Sequence, residues 1–288
     1  MKHIWTRRHM LGLLGSVGFG MMGGAPAFAQ AGNGLLEKAR KEGVMRIGLT
    51  SGLPYAFMHP DGRLDGVAPT IVRTVLERLG IPRVEGTVVT YGQLIPGLQA
   101  GRWDMIGADM SITKDRCAQV AFCDPFTIDY SAYVHLPEFT DPPKTLKDMG
   151  ARKIKVGLLA GTYNLKVIQA VYDKPDDYIT TYPDTAAIMD AITAKRVQMG
   201  ASGVRSIRQL LSQKPDVFKY VYPMPDDIIA PASAAFRPTD TDLIVAFKAE
   251  FQKLKKSGEW EKILNQFTFE VFPGKENVTA EEACSGSV

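Results

Sequence analysis

Tyr91-Gly92-Gln93-Leu94-Ile95-Pro96-Gly97-Leu98-Gln99-Ala100-Gly101-Arg102-Trp103-Asp104-Met105-Ile106-Gly107-Ala108-Asp109-Met110-Ser111-Ile112-Thr113-Lys114-Asp115-Arg116 is the stretch that decides the fold of this chain. Gln93 to Ala100 has the spacing of a short helix, Asp104 to Ala108 is an apolar run of strand length, and Ser111 to Thr113 opens a polar turn into a further helix. Helix, strand and helix in that order argue for α/β layers around a mostly parallel sheet. Arg116 stands at the start of the last helix. There a guanidinium, the hydroxyls of Ser111 and Thr113 and exposed backbone N–H groups can together hold a carboxylate. An arginine that merely caps nearby carbonyls would look the same in sequence.

The alternation continues on both sides. Val44 to Leu49 reads as a first strand, and Pro69 to Leu79 as a helix with Ile71, Val72, Val75, Leu76 and Leu79 on one face, Pro69 in its first turn and Gly80 as its stop. Val84 to Thr90 is the next strand. Beyond Pro137 a second unit repeats the pattern. Lys153 to Leu159 is a strand entering the turn Ala160-Gly161-Thr162, a helix runs on to Val171, and Tyr178 to Tyr182 is a strand. Asp184 then caps a helix from Ala186 to Ala194, and Val197 to Ser202 is a short buried strand. Ile228 to Arg237 reads as the return path, followed by helices from Thr241 to Leu254 and around Trp260 to Gln266. The tail from Gly274 is polar and small and is expected to fray. The length exceeds one typical domain. The expected architecture is two α/β lobes joined by two crossovers, with lobe 1 from residues 30–134 and 232–288 and lobe 2 from 135–231. Such lobes close by a hinge around a ligand.

The first residues carry an export pattern. Lys2, Arg7 and Arg8 make a basic start, Met10 to Gly24 is short and apolar, and Ala27-Phe28-Ala29 offers a small-residue cleavage site, so residues 1–29 read as a signal peptide. A membrane span would need about 20 consecutive apolar residues. Thr6-Arg7-Arg8-His9-Met10-Leu11 also fits the twin-arginine address, although adjacent arginines occur in ordinary leaders. The expected location is the periplasm. Formal charge is +3, from 34 Lys+Arg against 31 Asp+Glu. Because Lys2, Arg7 and Arg8 account for the excess, the remainder is neutral and has no nucleic-acid footprint. Three cysteines are too few for a disulfide scaffold. An oxidising compartment would permit Cys117–Cys123, two free buried thiols serve equally well, and Cys284 reads as a loose thiol in the tail. The four histidines do not pair with cysteines or acids at metal-ligand spacing, and no phosphate-cradling glycine loop is present. No metal or cofactor is expected.

Pro54-Tyr55 and Tyr91 follow the first and second strands. Ligands bind at such carboxyl ends, and aromatic faces there can hold an aliphatic stem or a cation. Ordinary loop packing would explain either residue alone, and Phe57 competes with Tyr55.

These stretches resemble family 3 of the periplasmic solute-binding proteins, the polar amino-acid receptors that feed ATP-driven importers. The resemblance runs from about Val44 to Phe269. It is closest in pattern to ectoine and hydroxyectoine receptors, carried by Gln93 to Trp103, Asp115 to Phe122, Tyr182-Pro183-Asp184 and Phe236 to Leu243. It implies a two-lobed periplasmic binding protein fold with a hinge and an interlobe cleft. It also implies a monomer that captures a small-molecule ligand and delivers it to the membrane permease of an ABC importer, with no catalysis. In the family, an arginine after a Ser-x-Thr turn grips the ligand carboxylate, and Ser111, Thr113 and Arg116 match those positions. Gly161 and Thr162 match the lobe 2 turn that closes on the same group. The sequence departs from the family elsewhere. The aspartate that usually takes an α-ammonium is matched by Gly203, followed by Arg205 and Arg208. Of the ectoine receptors' three rings and one acid, Tyr55 and Tyr91 match two rings, Ser111 stands at the third and Gly52 at the acid. Asp109 could replace the missing charge or cap the following turn, and Tyr163 offers another aromatic wall. The expected ligand is a carboxylated, ectoine-like solute or an amino-acid derivative. A standard polar amino acid is the nearest alternative, and a cyclohexadienyl-dehydratase-like enzyme on the same fold, with Asp109 as its acid, is another.

Overall fold

The computed structural model describes residues 34–213 and 215–287. The expected leader and its cleavage site lie outside them. Two mixed sheets organise the chain, each with a parallel half and an antiparallel half. In the first, Val44–Leu49 lies between Arg83–Val88 and Met105–Ser111 and runs parallel to both. Ala230–Phe236 returns antiparallel to Met105–Ser111, and Ala121–Phe122 and Thr127–Asp129 pair with it. In the second, Val156–Leu159 is parallel to Ile179–Tyr182 and Met199–Gly203, while Ser131–His135 and Lys219–Val221 complete it antiparallel. The chain passes to the second sheet at Tyr130, earlier than the boundary expected at 134–135, and returns between Val221 and Ala230. The antiparallel halves correct the expectation of mostly parallel sheets. They are built from the strands that flank the two passages between sheets, Thr127–Asp129 and Ser131–His135 at the first and Lys219–Val221 and Ala230–Phe236 at the second.

The helices form where apolar residues recur at helical spacing. Val67–Arg78 buries Val67, Ala68, Ile71, Val72, Val75 and Leu76 against the first sheet. Full burial of a large aliphatic side chain contributes roughly 1.5–3 kcal/mol relative to exposure, so this face holds the helix far more firmly than its propensity does. Trp103 anchors the segment read first. Its indole N–H donates to the Leu94 carbonyl at 3.1 Å, and its ring occupies space that only glycines leave open. A Cβ at Gly97 would come within 2.0 Å of the ring, and one at Gly48 within 2.6 Å.

Among the α-helices before the tail, Leu35–Glu42, Leu146–Ala151 and Val204–Gln213 escaped the sequence reading, as did the strand Ser131–His135. The tail is a correction. It folds as the helix Ala280–Ser285, with Thr279 and Glu282 forming a reciprocal capping box. The Ala280 N–H donates to the buried Asp124 carboxylate at 3.0 Å. Cys284 is bonded to Cys117, across a sequence separation of 167 residues. Cys123 is a free, buried thiol whose pKa burial pushes up. Neither Cys117–Cys123 nor a loose Cys284 describes the chain, because proximity along the sequence says nothing about the return of a capped tail.

Closing so long a loop restricts the unfolded chain strongly, and removing such a bond typically costs about 2–5 kcal/mol. Cys284→Ser is expected to lower the chemical-denaturation stability by that amount. A midpoint unchanged from wild type under oxidising conditions would show that the tail contributes nothing.

Candidate functional site

The carboxyl ends of the parallel strands in both sheets converge on one cavity of about 530 Å³, within the range of small-ligand sites. Each strand end contributes the residues that follow it. These include Thr50 to Gly52 after Val44–Leu49, Val88 to Tyr91 around the end of Arg83–Val88, and Thr162 to Asn164 after Val156–Leu159. Of the residues predicted from sequence, Tyr55, Tyr91, Asp109, Ser111, Thr162 and Tyr163 line this cavity. Phe57 does not. It faces a separate groove, with its ring 5.0 Å from that of His59.

Arg116 and Gly161 are joined in the wall instead of lining the cavity. Thr113 caps the helix Lys114–Cys117, accepting the Arg116 N–H at 3.4 Å, and this turns the Arg116 side chain inward. Its Nη1 donates to the Ser111 carbonyl at 2.7 Å and to the Tyr91 hydroxyl at 3.2 Å, and its Nη2 donates to the Gly161 carbonyl at 3.0 Å. The guanidinium also lies 5.0 Å from the Tyr91 ring centre. The Ser111 N–H donates to the same Tyr91 hydroxyl at 3.1 Å. The phenolic oxygen therefore receives both donors that were expected to meet a ligand carboxylate. Gly161 has φ +79°, and a Cβ there would come within 2.8 Å of Gly92 on the other lobe. Only glycine meets both conditions.

Tyr55 is fixed by two contacts. Its ring packs edge-on against Phe269 with centroids 5.2 Å apart, and its hydroxyl donates to Asp129 Oδ2 at 2.6 Å. Burial and the adjacent carboxylate push its pKa well up. A Cβ on Gly203 would come within 2.2 Å of that hydroxyl, so Tyr55 occupies the space that an acid at position 203 would need. Sequence reasoning missed Asp129. The alternation Thr127-Ile128-Asp129 places it beside Thr127 on one strand face, and an acid there ahead of Tyr130 was the available signal. Asp129 accepts from the Tyr55 hydroxyl at 2.6 Å and from its neighbour's N–H at 2.9 Å, and Arg205 Nε lies 3.5 Å away as an ion-pair partner without a hydrogen bond. Burial still raises its pKa. Arg205 stacks 4.5 Å over Phe269, behind this carboxylate.

Asp109 is different. It lies inside the strand Met105–Ser111 with φ +52°, a conformation that Asp and Asn tolerate better than most residues. It does not cap the following turn. Oδ2 accepts from the Thr127 hydroxyl at 2.6 Å, while buried Oδ1 has no partner among the described residues. Burial raises its pKa to about 7, the Thr127 bond opposes this, and Asp129 adds to it. On the lobe 2 side, Tyr163 and Ser131 share a hydrogen bond between their hydroxyls at 3.0 Å. Among the described residues, no lysine, arginine or histidine lines the cavity, whereas Asp109, Asp129 and Asp184 do.

Comparison with known proteins follows the same outline. The sequence profile of the bacterial extracellular solute-binding proteins, family 3, matches residues 45–270. A probable amino-acid ABC transporter periplasmic-binding protein of Sinorhizobium fredii is 26% identical over 265 residues, covering 88% of this chain and 87% of its own. The crystal structure of EhuB in complex with hydroxyectoine superposes with a TM-score of 0.82 at 30% identity, covering 87% of this chain and 97% of that one. A mutant arginine-binding protein from T. maritima superposes with a TM-score of 0.72 at 21% identity, covering 81% and 98%, and shares the fold.

The Asp109 environment sets a pH dependence of stability. The unfolded chain releases this proton near pH 3.8 and the folded chain near 7, so between them the folded state binds a proton that the unfolded state has lost. The contribution of this group to stability therefore falls as pH rises from about 4 to 7 and is level above that, a loss on the order of 4 kcal/mol. Asp109→Asn keeps an acceptor for Thr127 and removes the charge. It is expected to raise the unfolding midpoint at pH 8 and to change it little at pH 4. An equal shift at both values would show that charge burial is not the cause.

Proposed function

We infer, from the fact that this chain belongs to the family 3 bacterial extracellular solute-binding proteins, that it is the substrate-binding component of an ATP-driven importer. On this reading it captures a small carboxylated solute, ectoine-like or an amino-acid derivative, between its lobes in the periplasm and hands it to a membrane permease. The observation that carries the reading is the Tyr91 hydroxyl. It accepts from Ser111 N–H and Arg116 Nη1, where a carboxylate oxygen would be the stronger acceptor. A ligand carboxylate displaces the phenol, completes the Arg116 pair, and leaves the Tyr91 ring as a wall beside Tyr55 and Tyr163. Likeness to the hydroxyectoine complex supports an ectoine-like ligand. Gly203 argues against an α-amino acid held in the family's usual way, because Tyr55 fills the position of the ammonium partner.

Capture by hinge closure needs no bond to break, and the Sinorhizobium fredii relative is a probable ABC transporter periplasmic-binding protein. A dehydratase-like activity with Asp109 as general acid would reveal itself as consumption of prephenate or arogenate, and none is expected.

Titration calorimetry of ligand-stripped protein against ectoine, hydroxyectoine, glycine betaine, glutamine, histidine and arginine is expected to rank the ectoines first. Arg116→Ala should weaken that binding by about 2–5 kcal/mol, the usual cost of truncating one partner of a buried ion pair. Tyr91→Phe keeps the ring, removes the competing oxygen and should bind at least as tightly as wild type. Unchanged affinity in Arg116→Ala, or submicromolar glutamine with silent ectoines, overturns the assignment.

A further inference from the structure

We propose that Asp109 is the cation-binding group of this cavity, taking the positively charged end of the solute and releasing its own proton to solvent as that group enters. The proposal rests on the reading of the cavity as a solute site and names the chemistry that selects the solute: a compact cation, delocalised or fully substituted, joined to a carboxylate.

Elimination among the cavity's acids leads to Asp109. Asp184 is the N-cap of the helix Thr185–Thr193, and its Oδ1 accepts the Ala187 N–H at 2.8 Å. Asp129 has a donor on each oxygen, from Tyr55 and the Tyr130 N–H, with Arg205 alongside. Asp109 is 6% exposed and keeps one oxygen without a donor. A buried carboxylate in that condition is costly when ionised, and no side-chain cation lines the cavity to compensate it among the described residues. The backbone makes the same point independently. A non-glycine residue at φ +52° inside a strand is a sparsely populated conformation, and such residues persist where the surroundings force them, commonly at ligand sites.

The groups facing Asp109 make the exchange of a proton for a cation workable. Thr127 and Asp129 lie on a strand that pairs with Ala230–Phe236, as Asp109's strand also does, Tyr55 comes from the turn after Val44–Leu49, and Tyr163 and Asn164 line the same cavity from lobe 2. Arg205 stands behind Asp129 and is already engaged with it. A cation entering this set meets one uncompensated carboxylate and the rings of Tyr55, Tyr91 and Tyr163, whose faces attract cations without demanding hydrogen bonds. Charge balances throughout: the solute brings one positive charge, and Asp109 gives up one proton to buffer. Because burial holds that proton to about pH 7, the exchange falls where solution pH can drive it either way.

The test is calorimetry on the full chain with the zwitterions ectoine and hydroxyectoine, which carry the cation, and pyroglutamate as a carboxylated ring without it. Each is titrated at pH 6 and pH 8 in phosphate and in Tris, so that buffer ionisation heats count the protons. Ectoine binding should release about 0.9 proton at pH 6 and about 0.1 at pH 8, with affinity roughly tenfold tighter at pH 8. Asp109→Asn should abolish both the release and the pH dependence and lose ectoine affinity while keeping pyroglutamate. Thr127→Val, which retains the acid but removes the bond that eases its ionisation, should move the pH midpoint upward. Ectoine binding unchanged in Asp109→Asn, or binding without proton release at pH 6, overturns the cation role and leaves the solute reading intact. Binding of none of the three probes at either pH overturns both for this ligand class.

Discussion

Gly161 passes Gly92 with no side chain between them, and the Gly161 carbonyl accepts from Arg116. This contact across the seam is the constraint on which the cavity depends. Arg116 is buried, and a buried guanidinium must find acceptors. Separating the lobes removes one of its three, while closing them restores it. Hydrogen bonds to charged groups contribute roughly 1.5–3 kcal/mol, enough to bias a hinge. The exposed pair of Lys166 and Asp115 spans the same seam, but pairs of that kind contribute little. Closure in this chain is thus held from inside, at the point where the ligand's carboxylate would arrive. A ligand can shift the hinge only by its preference for the closed arrangement, so it must touch lobe 2 as well as the lobe 1 donors Ser111 and Arg116.

The lobes were legible in sequence because each rests on periodic apolar runs bounded by good stops. Val44–Leu49 emerged where expected, and so did the Asp184 cap. The antiparallel strands were not legible. Ser131–His135 is a short, wholly buried run without alternation, and Met199–Gly203, read as a strand, gave no sign of its antiparallel partner, because direction is a property of the partner strand rather than of the run. The tail was misread for a similar reason. Its polar composition looks like fraying until Asp124 and Cys117, both distant in sequence, hold it.

The site divides the same way. Residues that follow parallel strands were found, since the carboxyl ends of such strands carry ligands by geometry alone. Asp129 was missed because it reaches the cavity from a crossover strand, which no rule of strand ends singles out. The anion-holding role expected of Arg116 matched the chemistry of the residue but not its neighbours. No sequence pattern could show that a tyrosine hydroxyl from another turn would already stand against it.

Gly203 and Tyr55 show how one fold can change its ligand. Removing the side chain at 203 empties a position in lobe 2 and lets the Tyr55 hydroxyl enter it. That hydroxyl then binds Asp129, while Asp109, which lines the same cavity, keeps a buried oxygen with no partner among the described residues. On the reading proposed above, recognition of positive charge moves from lobe 2 to lobe 1, where Arg116, Ser111 and the Tyr91 ring already sit. On this arrangement both ends of a zwitterion meet lobe 1 before closure, and lobe 2 supplies mainly Thr162, Tyr163 and the Gly161 carbonyl. Capture then separates into docking on one lobe and covering by the other, an order suited to hinge closure. The uncompensated acid makes the empty site costly to hold when ionised, and on the proposed reading a cation would remove that cost.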